Sequence, residues 1–563
     1  LGPGVFSASA IAQNPAPAPA PSVQLPTGGQ VSGGQATISQ SGNTLNINQT
    51  TPKAILDWST FNVSKDATVN FQQPDAKSAT LNRVTDTQPS QILGRITAPG
   101  QVILVNPQGV YFGKTSSVDV GGLVATTHDA VNQEFMEGKF KFARNGSTAK
   151  VENEGELRAA LGGYIAMLAP EVRNSGVIVA NLGTVALAAG EAFELKFDGG
   201  GSLSSVRVSA SSINTLVENK SAIKAPGGLI ILSAQAASRL QTAVINNTGT
   251  IEAAGMVRRA GRILLEATSS IFNSGVIHAN SAGGIDGGPA GTVNFNAPEV
   301  QNSGTVSAAN FFPESGKTAA EAGRISIQAE IFTQDSSGLL DVSAIAAQSG
   351  QIDIATAQAL TLSGRVFANG IVNNPAHIVA DALGGTIHLQ ATRRIDLTTA
   401  VLDASGEGGG GRIHLQADGE PVPANNPSQP VRGAVLLRSN TELRVNSQRA
   451  LAGRVEVEGD EISIEGATSM DATGATAGGV VLIGGDSQGG GALRQATSIS
   501  MSADSLIDAS ATDTGNGGKV VLWSDITNAN GWTNVYGSVY ARGGANGGSG
   551  GQVETSGGIL QFA

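Results

Sequence analysis

Gly100-Gln101-Val102-Ile103-Leu104-Val105-Asn106-Pro107-Gln108-Gly109-Val110-Tyr111-Phe112-Gly113 is followed closely by Ser117-Val118-Asp119-Val120-Gly121-Gly122-Leu123-Val124-Ala125-Thr126, and the rest of the chain varies this unit. Val102, Leu104 and their alternating neighbours read as a half-buried strand. It breaks at Asn106-Pro107-Gln108-Gly109, where Pro presets the turn dihedral and Gly tolerates positive φ. Val110 to Phe112 resumes as strand, Ser117 to Val120 is a short polar strand, and Gly121-Gly122 leads into Leu123 to Thr126. Short strands joined by tight turns make one coil of a β-solenoid.

The same unit recurs downstream. Gly followed by x-(Val or Ile)-x-(apolar) stands at Gly163, Gly183, Gly228 and Gly261, and returns at Gly291, Gly323, Gly350, Gly385, Gly411, Gly453, Gly479 and Gly518. A second element places Asn before a small or polar residue and a strand, at Asn153, Asn174, Asn219, Asn247, Asn273 and Asn302. In register these amides stack into a ladder at a tight corner, a structural role, since each can bond the one above and below. The expected fold is all-β, a right-handed parallel β-helix with an N-terminal cap and extra-helical β-hairpins. The cap is expected around Trp58 and Phe61, and the hairpins at 134–151 and 194–210. A solenoid needs a cap because an open end exposes core and unpaired strand edges.

Composition fits a narrow core. Gly is 75 of 563 residues, aromatics are 4% and hydrophobic residues 40%. The formal net charge of -11 and the lack of any basic run argue against a nucleic-acid partner. With no Cys, disulfides and thiolate metal sites are excluded. No apolar run has the length of a membrane span. Val5 to Ala12, ending Ala10-Ile11-Ala12, reads as a signal-peptide remnant (1–12), and the alternating Ala and Pro of 13–22 as a stiff spacer.

Catalytic and metal chemistry find little support. Asp403, Asp471 and Asp508 recur at one corner, expected more than one coil apart and so too far for a glycosidase pair. His388 and His414 occupy equivalent positions and are expected to stack on the outer face, without a third ligand. Gly283-Gly284-Ile285-Asp286-Gly287-Gly288 is an isolated fragment of a calcium repeat. Pro421 to Pro430 reads as an excursion. No catalytic, cofactor or metal residues are expected, and the chain reads as no enzyme.

From about Gln24 to Asp129 the chain resembles the haemagglutination-activity secretion domain of two-partner secretion exoproteins, the family of filamentous haemagglutinin and high-molecular-weight adhesins. Leu25-Pro26-Thr27-Gly28-Gly29, Trp58-Ser59-Thr60-Phe61-Asn62-Val63, Leu81-Asn82-Arg83-Val84 and Gly121 to Thr126 carry the resemblance. So does Asn106-Pro107-Gln108-Gly109, matching the family's Asn-Pro-Asn-Gly motif with Gln108 in place of the second Asn. The companion Asn-Pro-Asn-Leu motif is replaced by Gln73-Pro74-Asp75-Ala76, which favours the adhesin-like branch.

The resemblance implies residues 23–290 as secretion domain and 291–563 as a β-helix rod, truncated at its C-terminus. It implies recognition, with Asn106 to Gly109 as the motif, by an outer-membrane β-barrel transporter, and secretion to the medium or cell surface. The expected activity is adhesion to a host cell-surface glycan or protein. The alternatives are capture of a host haem carrier, the stalk of a contact-dependent inhibition toxin, or a polysaccharide-degrading enzyme.

Overall fold

The computed structural model describes residues 23–199, 201–238, 240–282, 288–311, 322–372, 382–420 and 431–562. The signal-peptide remnant, the spacer, most of the calcium-repeat fragment and the 421–430 excursion lie outside them. The chain is a parallel β-helix. Backbone hydrogen bonds between successive coils join its strands into one 47-stranded sheet that winds around a single core. Three parallel faces can be followed along it. Val177–Val179, Ala222–Lys224, Thr250–Glu252 and Val276–His278 belong to face 1. Thr184–Ala189, Leu229–Ala234, Arg262–Ala267 and Thr292–Asn296 belong to face 2. Glu171–Asn174, Thr215–Asn219, Ala243–Asn247 and Ser270–Asn273 belong to face 3.

In the founding unit, Arg95–Val105 and Ser117–Thr126 each span faces 1 and 2, with a register irregularity between Val120 and Gly122, while Val110–Phe112 lies on face 3. The repeating glycines stand at the corner between faces 1 and 2. A Cβ on Gly323 would lie 1.9 Å from the Gly291 carbonyl oxygen, and one on Gly350 2.0 Å from that of Gly323. Glycine is required there because the neighbouring coil's backbone occupies the space of a side chain.

The N-terminal end is closed by antiparallel pairing. Gln30–Gly33 runs antiparallel to Lys53–Trp58, and Ala36–Ser41 to Thr44–Gln49. Trp58 and Phe61, expected in the cap, lie instead in the core of the first coil, each 1% exposed and packed edge to face at 5.5 Å. Their size fills the wide end of the core beneath the cap strands.

The two expected hairpins are one structure. Phe140–Ala143 pairs antiparallel with Ala192–Phe197, which pairs with Leu203–Ser209, giving a three-stranded sheet preceded by the short helix Asn132–Met136. The 134–151 segment contributes one strand to it and then rejoins the solenoid at Lys150–Asn153. This sheet covers the outward side of face 2, where Phe142, Phe193 and Leu195 pack with Ile103, Val124 and Ala166. Face 2 is therefore buried on both sides in these coils, so the strand around Val102 and Leu104 is fully buried rather than half-buried, which accounts for the continuous apolar run Val102 to Val105. Beyond the sheet, Arg262–Ala267 and Thr292–Asn296 return to apolar-in, polar-out alternation.

Candidate functional site

Asn106 is fully buried at the corner between faces 2 and 3. Its amide nitrogen donates to the Gln88 carbonyl and to Ser90 Oγ, both at 3.0 Å. Its Oδ1 accepts from the Gln108 amide at 2.9 Å, and its carbonyl accepts from the Gly109 amide at 2.9 Å. Gly109 takes φ +116°, and Ser147 Oγ donates to the Pro107 carbonyl at 2.6 Å. Pro107 supplies the turn dihedral, Asn106 closes the turn, and every polar atom of the Asn106 side chain is used within the fold.

Gln73-Pro74-Asp75-Ala76 closes a different corner, between faces 1 and 2. Gln73 donates to Thr80 Oγ1 at 2.8 Å and accepts from the Gly100 amide at 2.9 Å, while Asp75 Oδ1 accepts from the Lys77 and Ser78 amides at 2.9 and 2.7 Å. The hydrogen bond from Ser78 to Asp75 holds its carboxyl below the usual range. The neighbouring Leu81-Asn82-Arg83-Val84 is equally committed. Asn82 Oδ1 accepts from Trp58 Nε1 at 3.1 Å, and Arg83 ties Asp57, Asp129 and the Ala130 carbonyl at 3.2, 2.9 and 2.8 Å. Arg83 thus anchors the segment leading to the three-stranded sheet.

The six asparagines form one buried row at the tight corner between faces 3 and 1. Nδ2 of each donates to Oδ1 of the next, from Asn153 to Asn174 at 2.8 Å, to Asn219 at 2.9 Å, then to Asn247, Asn273 and Asn302 at 2.8 Å each. Gln334 continues the row, accepting from Asn302 at 3.0 Å. A search for Asn alone misses it, because one more methylene still reaches the rung.

Asp471 and Asp508 are direct register partners in adjacent coils, not more than one coil apart. The 37-residue interval misled because the segment around the short helix Ser487–Gly489 lengthens that coil without adding another. Arg444 stands between Asp403 and Asp471 in the same column. Each carboxylate accepts the amide two residues on, from Ser405, Thr473 and Ser510 at 2.9, 3.0 and 2.9 Å, so the aspartates close corners.

His388 and His414 are stacked register partners, 4.9 Å between centroids and 7° from parallel. His414 Nε2 lies 2.7 Å from Glu458 Oε1, and burial and the neighbouring His414 lower the pKa of His388. Burial alone would raise Glu458, but bonds from His414 and the Arg494 amide bring it below its ordinary value. Among the described residues no group of three or more His, Cys, Asp or Glu could hold a metal ion, and no helix is long and apolar enough to cross a membrane.

Over 257 residues the chain is 32% identical to a haem/haemopexin-binding protein of Haemophilus influenzae, covering 44% of this chain and 28% of that protein. A second haem/haemopexin-binding protein from the same species is 28% identical over 251 residues, 41% of this chain and 27% of its own. The chain thus spans little more than a quarter of the curated relatives it matches. The solved HMW1 secretion domain from Haemophilus influenzae shares the fold with a TM-score of 0.50 at 22% identity, over 79% of this chain and 98% of that one. The model of the TPS secretion domain matches residues 21–279, the coils that hold the cap, the Asn106 turn and the three-stranded sheet.

Proposed function

We propose that the chain is an exoprotein exported by two-partner secretion, recognised by a dedicated outer-membrane β-barrel transporter, and that its solenoid captures a haem-carrying protein outside the cell. The match of residues 21–279 to the TPS secretion domain carries the export reading. The 32% identity to a haem/haemopexin-binding protein favours capture over a general adhesive role. Capture would use side chains on the solenoid exterior and its projecting segments, a rigid scaffold for recognition.

Asn106 is fully buried once its coil has closed. A transporter that reads the Asn106 side chain therefore does so before its coil closes, whereas Gln108 stays exposed in the folded chain. Folding outside the cell then proceeds coil by coil on the preformed edge, because each new coil contacts only its neighbours.

The export reading is tested by the amount of chain in the medium with and without the transporter, alongside Asn106→Ala. Transporter-dependent release that falls in the variant is expected, and release indifferent to both refutes it. For capture, the exported chain is titrated with haem-loaded haemopexin, haem-free haemopexin and serum albumin. Saturable binding to haemopexin but not albumin is expected. Binding to host cells without binding to haemopexin replaces capture with adhesion.

A further inference from the structure

We infer that the segment 484–497 is a clasp that fastens five successive coils of the rod into one cooperative unit, with Arg494 as its hook. The coils are those whose face 2 strands are Arg412–Ala417, Arg454–Glu458, Val480–Ile483, Lys519–Trp523 and Gln552–Ser556. In a solenoid each coil ordinarily contacts only its neighbours, so coils open locally. The clasp leaves the middle coil and reaches two coils in either direction.

The residues beneath it require a cover. In the outward column of face 2, His388, His414 and Glu456 are followed by Leu482 and Val521, and then by Glu554. Leu482 and Val521 are fully buried, and Trp523 and Leu493 pack with them. Val480-Val481-Leu482-Ile483 and Val520-Val521-Leu522-Trp523 are therefore continuous apolar runs, as strands buried on both sides are. One coil earlier the corner from face 2 to face 3 takes only Gly459 and Asp460; here it takes 484–497, and the surplus lies over this apolar step. Glycine lets it lie close, since a Cβ on Gly485 or on Gly489 would stand 2.9 Å from the Trp523 indole.

Both ends are anchored. Backward, the Arg494 guanidinium donates to the Asp418 carbonyl at 2.7 Å and to the Ala417 carbonyl, and pairs with Asp460 at 3.1 Å. The Arg494 amide donates to Glu458 Oε2 at 2.9 Å, and the other oxygen of that carboxylate is the one beside His414. Forward, Lys519 Nζ donates to Asp486 Oδ1 at 2.6 Å, Trp523 Nε1 to Gln495 Oε1 at 3.1 Å, and the Gln488 amide to Glu554 Oε1 at 3.0 Å. Most of these bonds have a charged partner and belong to the stronger class.

Opening any one of the five coils requires the clasp to let go, and a released clasp exposes Leu482 and Val521 to water. Fraying that enters from either side therefore halts at this block until all five coils open together. The inference is independent of what the rod binds and of how the chain is exported.

The test is hydrogen exchange on the purified full chain. Arg494→Gln is expected to speed exchange at least about tenfold in Arg412–Ala417 and by a similar factor in Lys519–Trp523, on the far side of the clasp, while Thr292–Asn296 stays as in the parent. Trp523→Phe, which cuts the forward anchor, should speed Arg412–Ala417 in the same way. The double variant should fall short of the product of the two single effects, because either change alone already frees the clasp. Arg432→Gln, which breaks the 3.0 Å pair with Glu461 outside the clasp, should leave Lys519–Trp523 unchanged. Acceleration confined to the strand nearest each substitution, a strictly multiplicative double variant, or an equal effect of Arg432→Gln on Lys519–Trp523 overturns the proposal.

Discussion

Replacing Asn219 by Ala removes one rung from the middle of the asparagine row. Asn219 is fully buried, accepts from Asn174 Nδ2 at 2.9 Å, and donates to Asn247 Oδ1 at 2.8 Å and the Ser221 carbonyl at 3.1 Å. The truncation leaves the Asn174 amide and the Asn247 oxygen facing a dry gap. Stranding each costs about 1–3 kcal/mol, and losing the Ser221 bond adds about 1, so the local destabilisation is about 3–7 kcal/mol. Because a solenoid unfolds by neighbouring coils, the readout is hydrogen exchange resolved to Thr215–Asn219 and Ala243–Asn247, with urea unfolding beside it. Exchange in those strands is expected to accelerate by at least about two orders of magnitude, while strands beyond Arg412–Ala417 keep their protection. Asn219→Ala/Asn247→Ala should cost less than the sum of the single changes, since the second removes a group the first has already stranded. A shift below about 1 kcal/mol in Asn219→Ala, or strict additivity in the double variant, refutes the coupled row.

Gly323→Ala should destabilise its coil by about 1–3 kcal/mol or more, because the added carbon meets the Gly291 carbonyl at 1.9 Å, whereas Gly199→Ala, with open space around it, is neutral by thermal unfolding. His128 predicts a pH dependence. Burial between the solenoid and Phe193 pushes its pKa down to about 4 from 6.5, so the unfolded chain binds more protons between these values. Its stabilising effect is complete above about pH 6.5 and is lost as pH falls towards 4, amounting to about 3 kcal/mol. Hydrogen exchange in Ala192–Phe197 should speed up on acidification through that window, and His128→Gln should flatten the response; an unchanged profile in the variant contradicts the assignment.

Much of the architecture is legible because a solenoid repeats its physical requirements in every coil. The Gly-x-Val/Ile pattern marks where face 2 begins, and the Asn pattern marks the corner after face 3. What the pattern withholds is pairing between distant segments. Phe140–Ala143 and Ala192–Phe197 are each visible as alternating strands, but their union depends on two excursions leaving the same face of the solenoid. The spacing of Asp471 and Asp508 misleads for a related reason, since chain length between two residues does not count coils when one coil carries an insertion. Asn106 is legible as a turn residue, while its complete burial is not, because Gln88 and Ser90 reach it from an earlier coil.

The row of asparagines also separates the amount of chain from the distance it covers. Asn153 and Asn174 are 21 residues apart, and Asn174 and Asn219 are 45 apart, yet the rungs measure 2.8 and 2.9 Å. A coil that more than doubles its residues advances the rod by the same step. The tight corner therefore works as a ruler, and the other two corners as places where sequence is spent without changing the reading. Lineages of this protein can enlarge or exchange what projects from the rod while the reach of everything beyond it stays calibrated.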